Sequence, residues 1–355
     1  MSDRFIFITG FPGFIAERLV NRLASAGTEF FLLVQPPFVE AAKTAVEKIA
    51  ETSGIGVENF AIVEGDITNP DLGIEADDLA VIREETTDVF HLAAVYDLAV
   101  AKDLAVAVNV DGTKHVNDFV LSLPNLRRYN YISTCYVAGM RTGHILETEL
   151  EHDKGFRNHY EETKYLAELS VEQLKSEIPL TIFRPSVVVG DSQTGETAKY
   201  DGIYYLIQYL RMAPKLLRFL NVGNKQVRLN LVPVDFVVEG IAELSNDDSA
   251  VGKTIALADP KPLATAELFD VIAAELSGGR SLITPPAALT QLALNLPFSP
   301  ALTGMPHAGV PYFFLAQTYD TAVADELLAG HNIKCPSFGD YAKNLLDFVD
   351  RHPKL

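Results

Sequence analysis

Tyr160 and Lys164 stand four residues apart in Asn158-His159-Tyr160-Glu161-Glu162-Thr163-Lys164-Tyr165. On a helix that spacing is about one turn, so phenol and ammonium project from one face. A neighbouring cation favours phenolate and lowers a tyrosine pKa from its ordinary value near ~10. A phenol tuned in this way gives or takes a proton at neutral pH, as carbonyl reduction and alcohol oxidation require. The same spacing also serves solvated helical ion pairs, so the company the pair keeps decides its meaning.

A second constellation sits at the start of the chain. Thr9-Gly10-Phe11-Pro12-Gly13-Phe14-Ile15-Ala16 follows a strand-like run and opens an amphipathic segment. A pyrophosphate site needs a tight turn, close backbone approach and a small residue where helix meets strand. Gly10, Gly13 and Ala16 meet those needs, and the helix N-terminus that Phe14 and Ile15 begin adds N–H donors. The spacing is G-x-x-G-x-x-A, and Pro12 removes one amide donor. After the second strand an acid would select NAD and a base NADP. Val34-Gln35-Pro36-Pro37 offers neither, so the missing carboxylate leans the expectation towards NADP(H) over NAD(H), with Lys43 distant in sequence. Asp66, followed by Ile67 after the third strand, is placed to accept from an adenine amino group.

These groups need a scaffold. Phe5–Ile8, Phe30–Val34, Phe60–Val63, Val89–Leu92, Tyr129–Ile132 and Thr181–Phe183 alternate with amphipathic segments. Strands apolar on both faces that alternate with helices imply an α/β fold with a doubly wound parallel (Rossmann) sheet. The pattern loosens after about residue 190. The expected division is a dinucleotide-binding part over 1–190, with segments near 226–258 returning to the sheet, and a smaller mixed C-terminal substrate lobe over 191–355.

The 355 residues carry a formal net charge of −18, which repels a polyphosphate backbone and argues against nucleic-acid binding. Two cysteines, Cys135 and Cys335, build no disulfide framework and point to a reducing compartment. His144, His152, His159 and Asp153 fit no ligand spacing, so no metal is expected. Arg4–Thr9 reads as a strand rather than a signal peptide. No apolar run suffices for a membrane span, and the expectation is a cytoplasmic protein.

Taken in order, TGFPGFIA, GDI, VFHLAA, NVDGT, YISTCYVAG, YEETK, FRPSVVVG and LVPVDFV resemble the extended branch of the short-chain dehydrogenase/reductase superfamily. The resemblance covers most of the chain. It implies that Tyr160 is the catalytic acid/base, with Lys164 its partner and a holder of the nicotinamide ribose. Thr134 would orient the substrate carbonyl; Ser133 is one residue off, and strand alternation points it the other way. Leu92, Ala93 and Ala94 would lie under the cofactor. Asn109 would support the site, and Pro185, Val187 and Val188 would contact the carboxamide. His91 and Arg184 read as structural.

Within the superfamily, His91–Asp97, Tyr131–Glu149 and Asp201–Tyr205 look like the thioester-reductase and fatty-acyl-reductase-like (male-sterility type) group. That implies reduction of an acyl thioester, aldehyde or ketone with NADPH. Members of the group usually carry an arginine just after the second strand, where this chain has Gln35-Pro36. Tyr204, Tyr205, Tyr209, Leu210, Leu216, Leu217 and Phe219, with Leu282–Phe298 and Tyr312–Phe314, suggest a lipophilic small-molecule substrate. Superfamily analogy adds a homodimer. Alternatives are a nucleotide-sugar epimerase or dehydratase using Arg211, Arg218 and Arg228, a hydroxysteroid-type alcohol dehydrogenase, and a silent dinucleotide sensor.

Overall fold

The structure, a computed structural model, describes residues 4–212, 221–279, 281, 283–297, 299 and 307–354. Seven parallel strands form its central sheet: β1 (Arg4–Thr9), β2 (Thr28–Val34), β3 (Phe60–Glu64), β4 (Asp88–His91), β5 (Arg128–Ile132), β6 (Leu180–Pro185) and β7 (Thr254–Leu257). Their spatial order is β7-β6-β5-β4-β1-β2-β3.

Both faces of this sheet are covered, which is why its strands lack polar alternation. Ile6 and Ile8 of β1 join a core under α1 (Phe14–Leu23) and α2 (Val39–Ser53), while Phe7 between them joins a core on the other face. That second core lies under α3 (Ala76–Glu85), α4 (Gly112–Leu121) and α5 (His159–Glu172). The doubly wound expectation holds.

Of the late segments, Thr254–Leu257 pairs with the sheet edge as β7, whereas Leu231–Pro233 pairs with Val187–Val189 in a separate two-stranded sheet. A further apolar core gathers α6 (Ile203–Met212), while α7 (Val234–Leu244) joins the core under α1 and α2. With α6 pack α8 (Thr265–Ser277) and the helix Phe338–Arg351 near the C-terminus. Tyr204 and Leu210 are buried in that lobe core, and the Tyr204 hydroxyl accepts from the Gly190 amide at 2.9 Å. Leu216, Leu217, Arg218, Phe219, Leu282 and Phe298 lie outside the described residues. No helix among the described residues is long and apolar enough to cross a membrane.

The chain leaves β1 for β2 and β3 on one side, then crosses to β4 on the other. Ligands bind in the crevice at such a reversal, outside the carboxyl ends of the strands. Thr9, His91 and Ile132 end the three strands nearest that point.

Candidate active site

At the end of β1 the Thr9 hydroxyl accepts from the amides of Leu92 (3.2 Å) and Ala93 (3.1 Å), locking the β1 and β4 loops together. Gly10 lies at φ +88°, and a Cβ there would stand 2.8 Å from the Ala93 nitrogen, so only glycine serves. Gly13 donates its amide to the Gly10 carbonyl at 2.8 Å, closing the turn around Pro12. The Phe14 and Ile15 amides begin α1, where no intrahelical carbonyl reaches them. A glycine cradle of this shape, with free first-turn donors, fits a dinucleotide pyrophosphate.

Thr134 follows β5 and caps the next turn by accepting from the Tyr136 amide at 3.1 Å, and its side chain is near enough to the Tyr160 phenol to act on that group's pKa. Ser133 points the other way and donates to buried Glu168, as strand alternation requires. Tyr160 sits in the first turn of α5, whose start Asn158 caps by accepting from the Glu161 amide at 3.0 Å. Tyr160 keeps partial exposure, yet the protein packed around its hydroxyl pushes its pKa up to about 12, with the nearby Thr134 opposing.

Lys164 is almost fully buried and donates to the Tyr131 hydroxyl at 3.0 Å and the Ile132 carbonyl at 2.9 Å. Burial pulls its pKa down to about 8, with Glu168 opposing. The expected depression of the Tyr160 pKa by Lys164 is therefore not found. Desolvation of the phenol dominates, and the ammonium is held by strand β5.

Asn109 lies in a π-helical turn, Val106–Asp111. It accepts from the Val95 amide (2.9 Å) and donates to the Val95 carbonyl (3.1 Å) and the Thr163 hydroxyl (3.0 Å). All its polar atoms tie the loop after β4 to α5, which makes it a positioning residue. His91 is buried between the Thr9 hydroxyl (2.8 Å) and the Thr113 hydroxyl (3.1 Å), and burial drops its pKa to about 3. Thr113 also lies beside the Tyr131 phenol and acts to lower its pKa, so a row of buried polar groups runs from Lys164 to Thr9.

The remaining candidates divide. Gln35 donates to Asp66 at 2.8 Å across the ends of β2 and β3. The Ile67 side chain packs in the core against Gly112 rather than into the crevice, and its carbonyl contacts His115 at 2.8 Å. Ala94 is half-buried beside the crevice loop. Pro185 ends β6 and is buried, while Val187 and Val188 are half-buried in the following strand. Arg184 holds Glu168 at 2.8 Å and the Glu147 and Glu149 carbonyls at 3.0 and 3.1 Å.

Sequence reasoning missed Tyr131, Glu168 and a cluster around Glu161. Glu168 follows Lys164 by four residues, a helical spacing that could have found it. Tyr131 lies in a strand buried throughout, where alternation carries no signal.

Residues 8–241 match the NAD-binding male sterility protein family model. The chain belongs to that family. The family is one that binds a nicotinamide dinucleotide. Fatty acyl-CoA reductase wat of Drosophila melanogaster is 26% identical over 277 residues, covering 68% of this chain and 53% of that protein. The chloroplastic fatty acyl-CoA reductase 2 of Arabidopsis thaliana is 24% identical over 335 residues, covering 74% of this chain and 53% of that protein. The chain thus spans about half the length of these two reductases. The terminal R domain of the myxalamid PKS-NRPS pathway shares the fold with a TM-score of 0.83 at 23% identity, over 99% of this chain and 92% of that one. UDP-glucuronic acid 4-epimerase from Bacillus cereus also shares it, with a TM-score of 0.66 at 19% identity, over 98% and 97%.

Proposed function

We propose that this family member reduces the carbonyl group of a lipophilic acyl thioester, aldehyde or ketone. The placement of the Thr134 hydroxyl beside the Tyr160 phenol, next to the Gly10–Ala93 crossing, carries the reading. A nicotinamide dinucleotide, when bound, supplies hydride to the carbonyl carbon. Thr134 orients the carbonyl oxygen, and Tyr160 gives that oxygen its proton. A phenol with its pKa pushed to about 12 is fully protonated at neutral pH and suits the acid role. Lys164 and the positioning residue Asn109 hold the phenol's helix and the crevice loop in register.

The similarity to fatty acyl-CoA reductases favours acyl thioesters. The epimerase reading loses support because Arg211 is paired with Asp350 and Arg228 donates to the Pro262 carbonyl. General acid catalysis contributes roughly 10²–10⁴-fold. Tyr160→Phe is therefore expected to lose turnover by that order while nicotinamide binding survives. Stopped-flow oxidation of reduced cofactor with acyl-CoA and long-chain aldehyde panels tests this; undiminished turnover in the variant overturns it.

A further inference from the structure

We infer that the crevice edge formed by Gln35 and Asp66 selects NAD(H) and rejects NADP(H). The inference rests on the dinucleotide reading of the site. The two cofactors differ only at the adenosine ribose, where NAD(H) carries a 2′-hydroxyl and NADP(H) a 2′-phosphate. The end of β2 is where that ribose is read.

Gln35 reaches Asp66 with its amide nitrogen, Nε2 to Oδ2 at 2.8 Å. A carboxylate takes only donors, so this bond fixes which way the Gln35 amide faces. Its Oε1 is left as an acceptor, the partner a ribose hydroxyl needs and a phosphate cannot use. Asp66 is itself braced by the Thr68 amide and hydroxyl, both at 2.8 Å. The acid missing from the sequence after β2 is thus supplied by the end of β3, through space.

A phosphate would find no donors in the following turn. Pro36 and Pro37 have no N–H. The Phe38 amide is spent on the Gln35 carbonyl at 2.9 Å, and the Val39 amide on the Pro36 carbonyl. The segment from Gln35 to Ala42 contains no cation, and Lys43 is held by Glu40 at 2.7 Å. Glu40, Glu64 and Asp66 make the local charge negative, which opposes a phosphate dianion.

Calorimetric titration of the intact chain with NADH and NADPH, with no substrate present, tests the inference. NADH is expected to bind at least about tenfold more tightly. Gln35→Arg, at an exposed position, is expected to narrow or reverse the difference by gaining NADPH affinity, and Asp66→Asn to narrow it. NADPH binding as tight as NADH overturns the inference and leaves the dinucleotide site standing. If that affinity is lost in Lys43→Ala, the phosphate belongs to Lys43. Failure of both cofactors to bind overturns the site reading itself and the inference with it.

Discussion

Tyr312 donates its hydroxyl hydrogen to Glu161, the fully buried neighbour of Tyr160, at 2.5 Å. The same hydroxyl accepts from Asn158, the residue that caps α5, at 2.7 Å. Arg157 pairs with Glu161, lies over the Tyr312 ring at 4.7 Å and donates to the Gly139 carbonyl at 2.8 Å. The Tyr312 ring also packs on Tyr136, next to the turn that Thr134 caps, with centroids 4.7 Å apart. One side chain from the C-terminal part of the chain thus touches both elements that carry Thr134 and Tyr160.

Tyr312→Phe removes a donor to a buried carboxylate. It is expected to cost about 1–3 kcal/mol of stability and to lower turnover more than it raises KM. Arg157→Ala leaves that carboxylate without its cation and is expected to cost about 3–5 kcal/mol. Urea denaturation and initial rates check both; unchanged stability in both variants would remove the structural role of the cluster.

Lys164 carries its charge only below its depressed pKa of about 8. If the ammonium supports reduction, the rate is expected to fall as pH rises through about 8. Tyr131 accepts from the charged form and so favours it. Tyr131→Phe is expected to move that limb to lower pH. A pH–rate profile of both proteins decides the matter, and coincident limbs would detach Tyr131 from Lys164.

Asn109→Ala breaks two hydrogen bonds to Val95 in the crevice loop and one to Thr163 in α5. Leaving the Val95 groups unpaired is expected to cost about 1–3 kcal/mol and to weaken cofactor binding severalfold. Thermal unfolding and fluorescence titration read the two effects separately.

His91 has its pKa pushed down from the ordinary value to about 3. In the unfolded chain it takes up a proton near pH ~6.5, while the folded chain stays neutral there. The unfolded state then binds more protons, so stability is expected to fall as pH drops from about 6.5 towards 3. His91→Gln is expected to flatten that part of the stability curve. An equally steep curve in the variant would assign the acid sensitivity to other groups.

Much of the fold was legible because its signals are local. Strands without polar alternation announced a sheet covered on both sides, and Gly10 and Gly13 announced a tight turn after β1, which the Gly13 amide closes on the Gly10 carbonyl. Strand alternation pointed Ser133 away from Thr134, and the structure sends Ser133 to Glu168. The Tyr160 pKa was not legible. Its sign depends on whether desolvation or a neighbouring charge dominates, and burial is a property of the packed molecule.

Tyr204 and Leu210 show the same boundary from the apolar side. An aromatic run can line a pocket or fill a core, and here these two residues are buried in an apolar core.

Residue types and spacing alone determined that a phenol and an ammonium share a helix face in a chain that opens with a glycine turn after its first strand, because helix and strand periods are set by the backbone. Only the tertiary structure decided what each group touches. It gave Lys164 to Tyr131 and Ile132, brought Asp66 to Gln35 from 31 residues away, and joined Tyr312 to Glu161 across 151. Hydrogen bonds and desolvation act over a few ångströms of space, and the folded chain makes those distances small without regard to separation in sequence.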